Sequence, residues 1–236
     1  GNLYQETFNH EFILDKKSLT YNFNDEFYKE LITIIPNIKN IIISGGEPLI
    51  NDEFYEFIQW LILNKFSDKI NLIVFSNMTK MVKNFKAIYD KFNSFTINVS
   101  LDGVSKKDEY IRRGTNFEEK TKNINQLISF FNIQFCSTMS ILNVGYQSEI
   151  SKYCLKFNKR PSFFNILVEP FYLQINNLPD DVIKIYRKRK ENHRLFDSNL
   201  KELNHFKLGI KFLKKYDDIH NTNLLDEWPE FEKYYE

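Results

Sequence analysis

The chain has 236 residues, 32 basic against 31 acidic side chains, and a formal charge of +1. That length supports one ordinary hydrophobic core, the near-average apolar and charged fractions argue against a disordered or collagen-like chain, and the balanced charge gives no general electrostatic drive towards nucleic acid. Apolar runs such as 70–75 fall far short of the roughly 20 residues that a membrane-spanning helix needs, and the start GNLYQETFNH lacks a signal-peptide core, so a cytoplasmic protein without a membrane partner is expected. Cys136 and Cys154 are too far apart for a C-x-x-C pair, which argues for buried free thiols and against a disulfide framework or zinc knuckle.

In chain order, 25–34 has helical periodicity, while the stretch before it has no clear period. Short β-branched runs at 40–44, 70–76, 95–101, 133–141 and 163–168 read as strands. Amphipathic segments at 52–65, 81–92, 116–132 and 147–156 lie between them. Each connection is long enough for a right-handed crossover, so the expected class is α/β with a parallel sheet. A sheet that begins at Asn40 after an unpatterned leader suggests a strand and loop ahead of it. From Leu178 onward the segments 178–196 and 201–219 are helical with charged faces. The expected organisation is therefore an α/β body over 1–177 and a helical C-terminal extension over 178–236 packed on it. The basic run 187–190 reads as a solvated helix face. His10, His193, His205 and His220 are scattered without ligand spacing and read as surface or packing residues, and Trp228 reads as an anchor for the tail.

The chemistry-bearing segment is SGGEPL, 44–49, between a strand and a helix. Gly45 and Gly46 suit a sharp turn and close backbone approach, and Pro48 suits the start of a helix. Glu47 at such a strand end, beside Ser44 and exposed carbonyls, makes an acceptor cluster fit for an ammonium group; the plainer alternative is a βα turn with a carboxylate favoured by the helix dipole. The neighbouring strand ends carry Asn77, then Ser100 and Asp102, then Asn143, with Arg112 and Arg113 in the connection after Asp102. Polar residues at successive strand ends point to one shared mouth, where α/β enzymes place their sites. Acceptors, a ribose-competent Ser/Asp pair and a carboxylate-competent Arg together match a nucleoside amino acid.

The ordered set SGGEPL at 44–49, SN at 76–77, VSLDG at 99–103, DEYIRRG at 108–114, SILNVGY at 140–146 and NILVEPFYLQINNLP at 165–179 resembles the radical S-adenosylmethionine superfamily, and within it the twitch-domain-containing proteins. The resemblance implies a partial (β/α)6 barrel and an enzyme that reductively cleaves S-adenosylmethionine at a [4Fe-4S] cluster, giving a 5′-deoxyadenosyl radical for hydrogen abstraction from an unknown small-molecule or peptide substrate. An external electron donor is implied as well. Carried over by position, Gly45, Gly46 and Glu47 would meet the methionine ammonium, and Ser100 the ribose or carboxylate. Arg112 would meet the carboxylate, with Arg113 as second candidate; Ile166 and Leu167 would flank the adenine, and Asn143 would line the same mouth. The family's C-x3-C-x2-C motif is absent from these 236 residues. It is expected upstream of Asp25, next to a Gly-Asn pair such as Gly1-Asn2. The alternative is a barrel that binds S-adenosylmethionine or a partner without a cluster or catalysis.

Overall fold

The computed structural model describes residues 25–197 and 202–235. The unpatterned leader, with Gly1-Asn2 and His10, and the first residue of the 201–219 segment lie outside the described residues. The elements are α1 (Asp25–Ile34), β1 (Asn40–Ile43), α2 (Asp52–Leu63), β2 (Asn71–Ser76), α3 (Phe85–Ile88), β3 (Ser94–Ser100), α4 (Lys106–Ile111), α5 (Phe117–Leu127), β4 (Asn132–Met139), α6 (Gln147–Leu155), β5 (Pro161–Ile166), α7 (Asp180–Lys188), α8 (Leu203–His220) and α9 (Leu224–Glu227). The strands form a five-stranded parallel sheet in sequential order, β1 to β5, flanked by helices. Asn40 pairs with Asn71 and Asn71 with Ser94, each register running on in parallel. The expected α/β class with a helical C-terminal part is present.

Two compact units make up the chain: 13–100 with 118–135, and 101–117 with 136–236, of which only the described residues are discussed. In the first unit, α2 shows why the sequence folds as it does. Asn51 caps it by accepting from the Glu53 amide at 2.9 Å, Asp52 and Glu53 sit in the favourable first turn, and Phe54, Phe57, Ile58 and Leu61 are buried at helical spacing. It stops at Leu63 because Lys65 turns left-handed, with φ 59°. The helix expected over 81–92 shrinks to the four residues Phe85–Ile88, since Asn84 is left-handed with φ 48°. Trp60 is half-buried and stacks on Tyr28 and Phe66, with ring centroids 4.9 and 5.7 Å away.

The second unit has a continuous core that joins Met139 at the end of β4 and Ile141 and Val144 after it to Leu178, Val182 and Tyr186 around α7 and to Phe206, Ile210 and Trp228 further on. Residues 178 onward thus share one core with 139–178. The β5 strand lies two residues earlier than expected, because the chain leaves the ladder after Ile166 and the Leu167 amide turns to the Met139 carbonyl at 2.9 Å. In α8, Gly209 is required by close approach: a Cβ there would lie 2.6 Å from the Tyr172 carbonyl oxygen. Half of the basic run is neutralised, Arg187 by Asp197 and Arg189 by Glu230.

The tail is fastened by specific bonds. Trp228, fully buried, donates its indole N–H to the Leu142 carbonyl at 2.6 Å. The single hydroxyl proton of Tyr146 is shared between Glu230 at 2.9 Å and the Glu227 carbonyl at 3.1 Å. Asp217, at the end of α8, accepts from the Leu224 amide and the Tyr235 hydroxyl at 2.7 and 2.6 Å. Replacing Trp228 with Phe keeps an aromatic ring but strands the Leu142 carbonyl and opens a void. Urea unfolding should show a loss of about 2–4 kcal/mol. An unchanged midpoint would mean that the tail is not anchored through this residue.

Candidate functional site

In the first unit the chain leaves β1 through Ser44, Gly45 and Gly46, all exposed. Gly45 has φ +99° and Gly46 φ +55°, and a Cβ on either would meet nothing within 4 Å. The glycines are needed here for their torsions, and the space beside them is open. The next residue, Glu47, is half-buried and fixed by three donors. Its Oε1 accepts from the Ser76 hydroxyl at 2.8 Å and the Leu49 amide at 3.2 Å, and its Oε2 accepts from the Asn77 amide at 2.7 Å. The Ser76 hydroxyl accepts in turn from the Met78 amide at 2.9 Å, which fixes its orientation. Glu47 therefore ties the exit of β1 to the exit of β2 and caps the 3-10 turn Pro48–Ile50. A carboxylate offers about four acceptor positions, so one on Oε2 is left over among the described residues.

Asn77 takes part through its backbone, because its side-chain oxygen is occupied by the Thr79 amide and hydroxyl at 2.9 and 2.7 Å. Ser100 ends β3, half-buried, and its carbonyl accepts from the fully buried Lys120 ammonium at 2.8 Å. A cleft of about 620 Å³ runs beside the turn and is lined by Ser44, Gly45, Gly46 and Phe54 with the β1 isoleucines; Glu47 is not part of its wall.

In the second unit Asp102, 5% exposed, accepts from the Thr138 amide through Oδ1 at 2.8 Å and pairs through Oδ2 with the Arg112 guanidinium at 2.8 Å. Its amide donates to the Asp108 carboxylate at 3.0 Å. The helix α4, which sequence periodicity did not reveal because it has only six residues, ends at Arg112 and turns that side chain towards Asp102. The Arg112 Nε is buried and has no hydrogen-bond partner among the described residues. Asp102, Arg112 and Leu167 line a common cleft of about 390 Å³ with Thr138, Ser140 and Tyr216. Asn143 does not line it. It is 1% exposed and clasps the end of β4, donating to the Thr138 carbonyl at 3.0 Å and accepting from the Ser140 amide at 2.8 Å. Ile166 packs against the core of this unit.

The cleft also shows what sequence reasoning missed. Tyr216, Phe212 and Leu213 of α8 form part of its wall, so one C-terminal helix contributes to the cleft. An aromatic residue at helical spacing carries no signal that distinguishes a cleft wall from core.

The sequence model of the Radical SAM superfamily matches residues 15–149, more than half of the chain. This chain belongs to the radical SAM superfamily. No curated protein matches it. The superfamily implies S-adenosylmethionine, and the second-unit cleft fits such a ligand, with an uncommitted guanidinium N–H buried at its wall beside an acceptor and apolar side chains. The [4Fe-4S] cluster usual in radical SAM proteins does not fit the residues present. Cys136 lies on β4 and Cys154 on α6; Cys154 is fully buried, and burial pushes its thiol up to about 12, far from the thiolate a cluster requires. Among the described residues no group of three His, Cys, Asp or Glu side chains could hold a metal ion, and no helix is long and apolar enough to cross a membrane.

The geometry at Glu47 makes a stability prediction separate from any ligand. Glu47→Gln turns one carboxylate oxygen into a donor facing either Asn77 N–H or the Ser76 and Leu49 pair. Urea unfolding should show a loss of about 1–3 kcal/mol, the cost of a buried or half-buried donor left unmatched. A variant as stable as the parent would remove Glu47 from its place as the tie between the two strand ends.

Proposed function

We propose that this chain is the S-adenosylmethionine-binding part of a radical enzyme whose cluster thiolates come from cysteines outside these 236 residues. With such a cluster bound and an external electron donor, the cofactor would supply radical chemistry for hydrogen abstraction from substrate, and the residues of this chain would bind and orient it. The observation that carries this reading is the buried, uncommitted Arg112 Nε in a cleft that also has Asp102 and Leu167 in its wall. A guanidinium with one N–H committed to Asp102 and another free suits the methionine carboxylate, because charge-assisted bonds to a planar fork both orient and hold an anion. Asp102 supplies acceptor character for a ribose, and Leu167 with the neighbouring aliphatic side chains supplies an apolar face for the adenine. In the first unit, taken by itself, Glu47 keeps one acceptor position on Oε2, chemistry that suits an ammonium group. Gly45 and Gly46 leave the adjoining backbone accessible. Ser44, Asn77, Ser100, Asn143 and Ile166 belong to this reading as residues that shape the strand ends.

A second reading, S-adenosylmethionine binding without cluster or catalysis, is favoured by one observation: the two cysteines present cannot supply three thiolates. The two readings share the binding step and part at turnover.

Calorimetry with S-adenosylmethionine on the folded chain tests the shared step. Arg112→Gln should weaken binding about 10- to 100-fold, the equivalent of roughly 1.5–3 kcal/mol for a hydrogen bond to a charged group. Unchanged affinity in that variant would overturn the assignment. For turnover, the natural gene should encode C-x3-C-x2-C upstream of Asp25. Protein containing it, reconstituted anaerobically with iron, sulfide and a strong reductant, should release 5′-deoxyadenosine; a filled cluster with no release at saturating cofactor would leave the binding-only reading.

A further inference from the structure

Arg112 and Arg113 are adjacent in sequence but serve different clefts. Arg112 lines the 390 Å³ cleft, whereas Arg113 lines a second one of about 550 Å³ in the same unit. Tyr110 and Tyr216 line both and form the partition between them. On the Arg113 side the partition continues as an aromatic wall, with Tyr110 and Tyr216 centroids 5.3 Å apart and Tyr216 and His220 centroids 4.3 Å apart.

The carboxylates around this second cleft are already engaged. Glu109 pairs with Lys106 at 2.7 Å and accepts from the Phe117 amide at 2.9 Å, and these partners hold its carboxyl below the usual range. Glu227 pairs with Lys107 at 3.1 Å, and Asp226 accepts from the Asn223 amide group at 2.8 Å. Arg113, in contrast, has no carboxylate partner among the described residues. It sits near enough to Tyr216 to oppose the upward push that burial gives that phenol. One guanidinium without a carboxylate partner beside a wall of tilted aromatic rings suits an anion with an aromatic body: the planar fork meets a carboxylate through two parallel bonds, and the inclined rings offer edge-to-face contact. Three carboxylates around the rim repel a dianion such as phosphate more strongly than a monoanionic carboxylate.

We propose that this cleft is a binding site for a small aromatic carboxylate, with Arg113 holding the carboxylate and Tyr216 and His220 beside the ring. The site goes beyond the cofactor reading and stands without it, since the ligand is titrated in the absence of S-adenosylmethionine. Placed across a tyrosine partition from the Arg112 cleft, it is a candidate for the substrate side of this unit.

The probe is 4-fluorobenzoate, followed by fluorine NMR line broadening on the folded chain, with neutral 4-fluorobenzyl alcohol and inorganic phosphate as comparators. Saturable binding of 4-fluorobenzoate is expected by about 10 mM. Arg113→Gln should weaken it at least about tenfold, one step of about 1.4 kcal/mol, and leave the alcohol unaffected. Arg113→Lys, which keeps the charge and loses the fork, should fall between the two. Arg112→Gln should change 4-fluorobenzoate binding less than about twofold, which separates this cleft from its neighbour. Absence of saturation, equal binding in parent and Arg113→Gln, or tighter binding of phosphate than of 4-fluorobenzoate would each overturn the proposal.

Discussion

A parallel strand that leaves its sheet exposes backbone groups that the ladder no longer satisfies, and in both units polar side chains at the strand ends take over those groups. In the first unit Glu47 accepts the amides of Leu49 and Asn77, Lys120 donates to the carbonyl of Ser100, and Asn123 donates to the carbonyl of Met78. In the second, Asp102 accepts the Thr138 amide, while Asn143 accepts the Ser140 amide and donates to the Thr138 carbonyl. Removing such a partner leaves a buried backbone group unpaired, at a cost of about 1–3 kcal/mol each. These residues would therefore be needed for the loop geometry even if no ligand ever bound.

That constraint changes how a polar strand end is read for function. A residue such as Asn143, whose side-chain oxygen and nitrogen are both occupied, has little left to offer a ligand. What matters is the capacity that remains after the backbone has been served. At Glu47 this is one acceptor position on Oε2, and at Arg112 it is the Nε. Because the rest of each side chain is bonded in place, that residual group is held in a fixed direction, and a ligand meeting it would lose little further freedom of the protein.

The sequence revealed β2 and β3 well because each is a short run with β-branched residues at buried positions, a pattern produced by burial itself, whereas β5, PSFFNI, has no buried position and was placed two residues late. Boundaries were less legible. Asn84 and Lys65 adopt left-handed torsions that shorten or end helices, and Asn or Lys in those positions looks the same in sequence as a solvated helical residue. The six-residue α4 is too short to show a period, although it delivers Arg112 to Asp102. Glu47, Asp102 and Arg112 stood out as chemistry at strand ends, but their mutual partners did not, since a hydrogen bond from Ser76 or Thr138 depends on strand register. The contribution of Tyr216 was invisible for a different reason: its distance in sequence from Arg112 is bridged only by the packing of α8.

The cysteines illustrate the same separation between residue type and available chemistry. A thiol becomes a metal ligand only as thiolate, so the environment decides what the sequence permits. Cys154 sits on α6 with Ile150 and Tyr153, fully buried, where charge is disfavoured and the thiol behaves as a small apolar side chain. Binding a cluster there would require both deprotonation in a low-dielectric core and two further thiolates within reach, and the chain has only one other cysteine. Family membership and local chemistry thus give different kinds of information. The first identifies the superfamily, while the second limits Cys154 to packing.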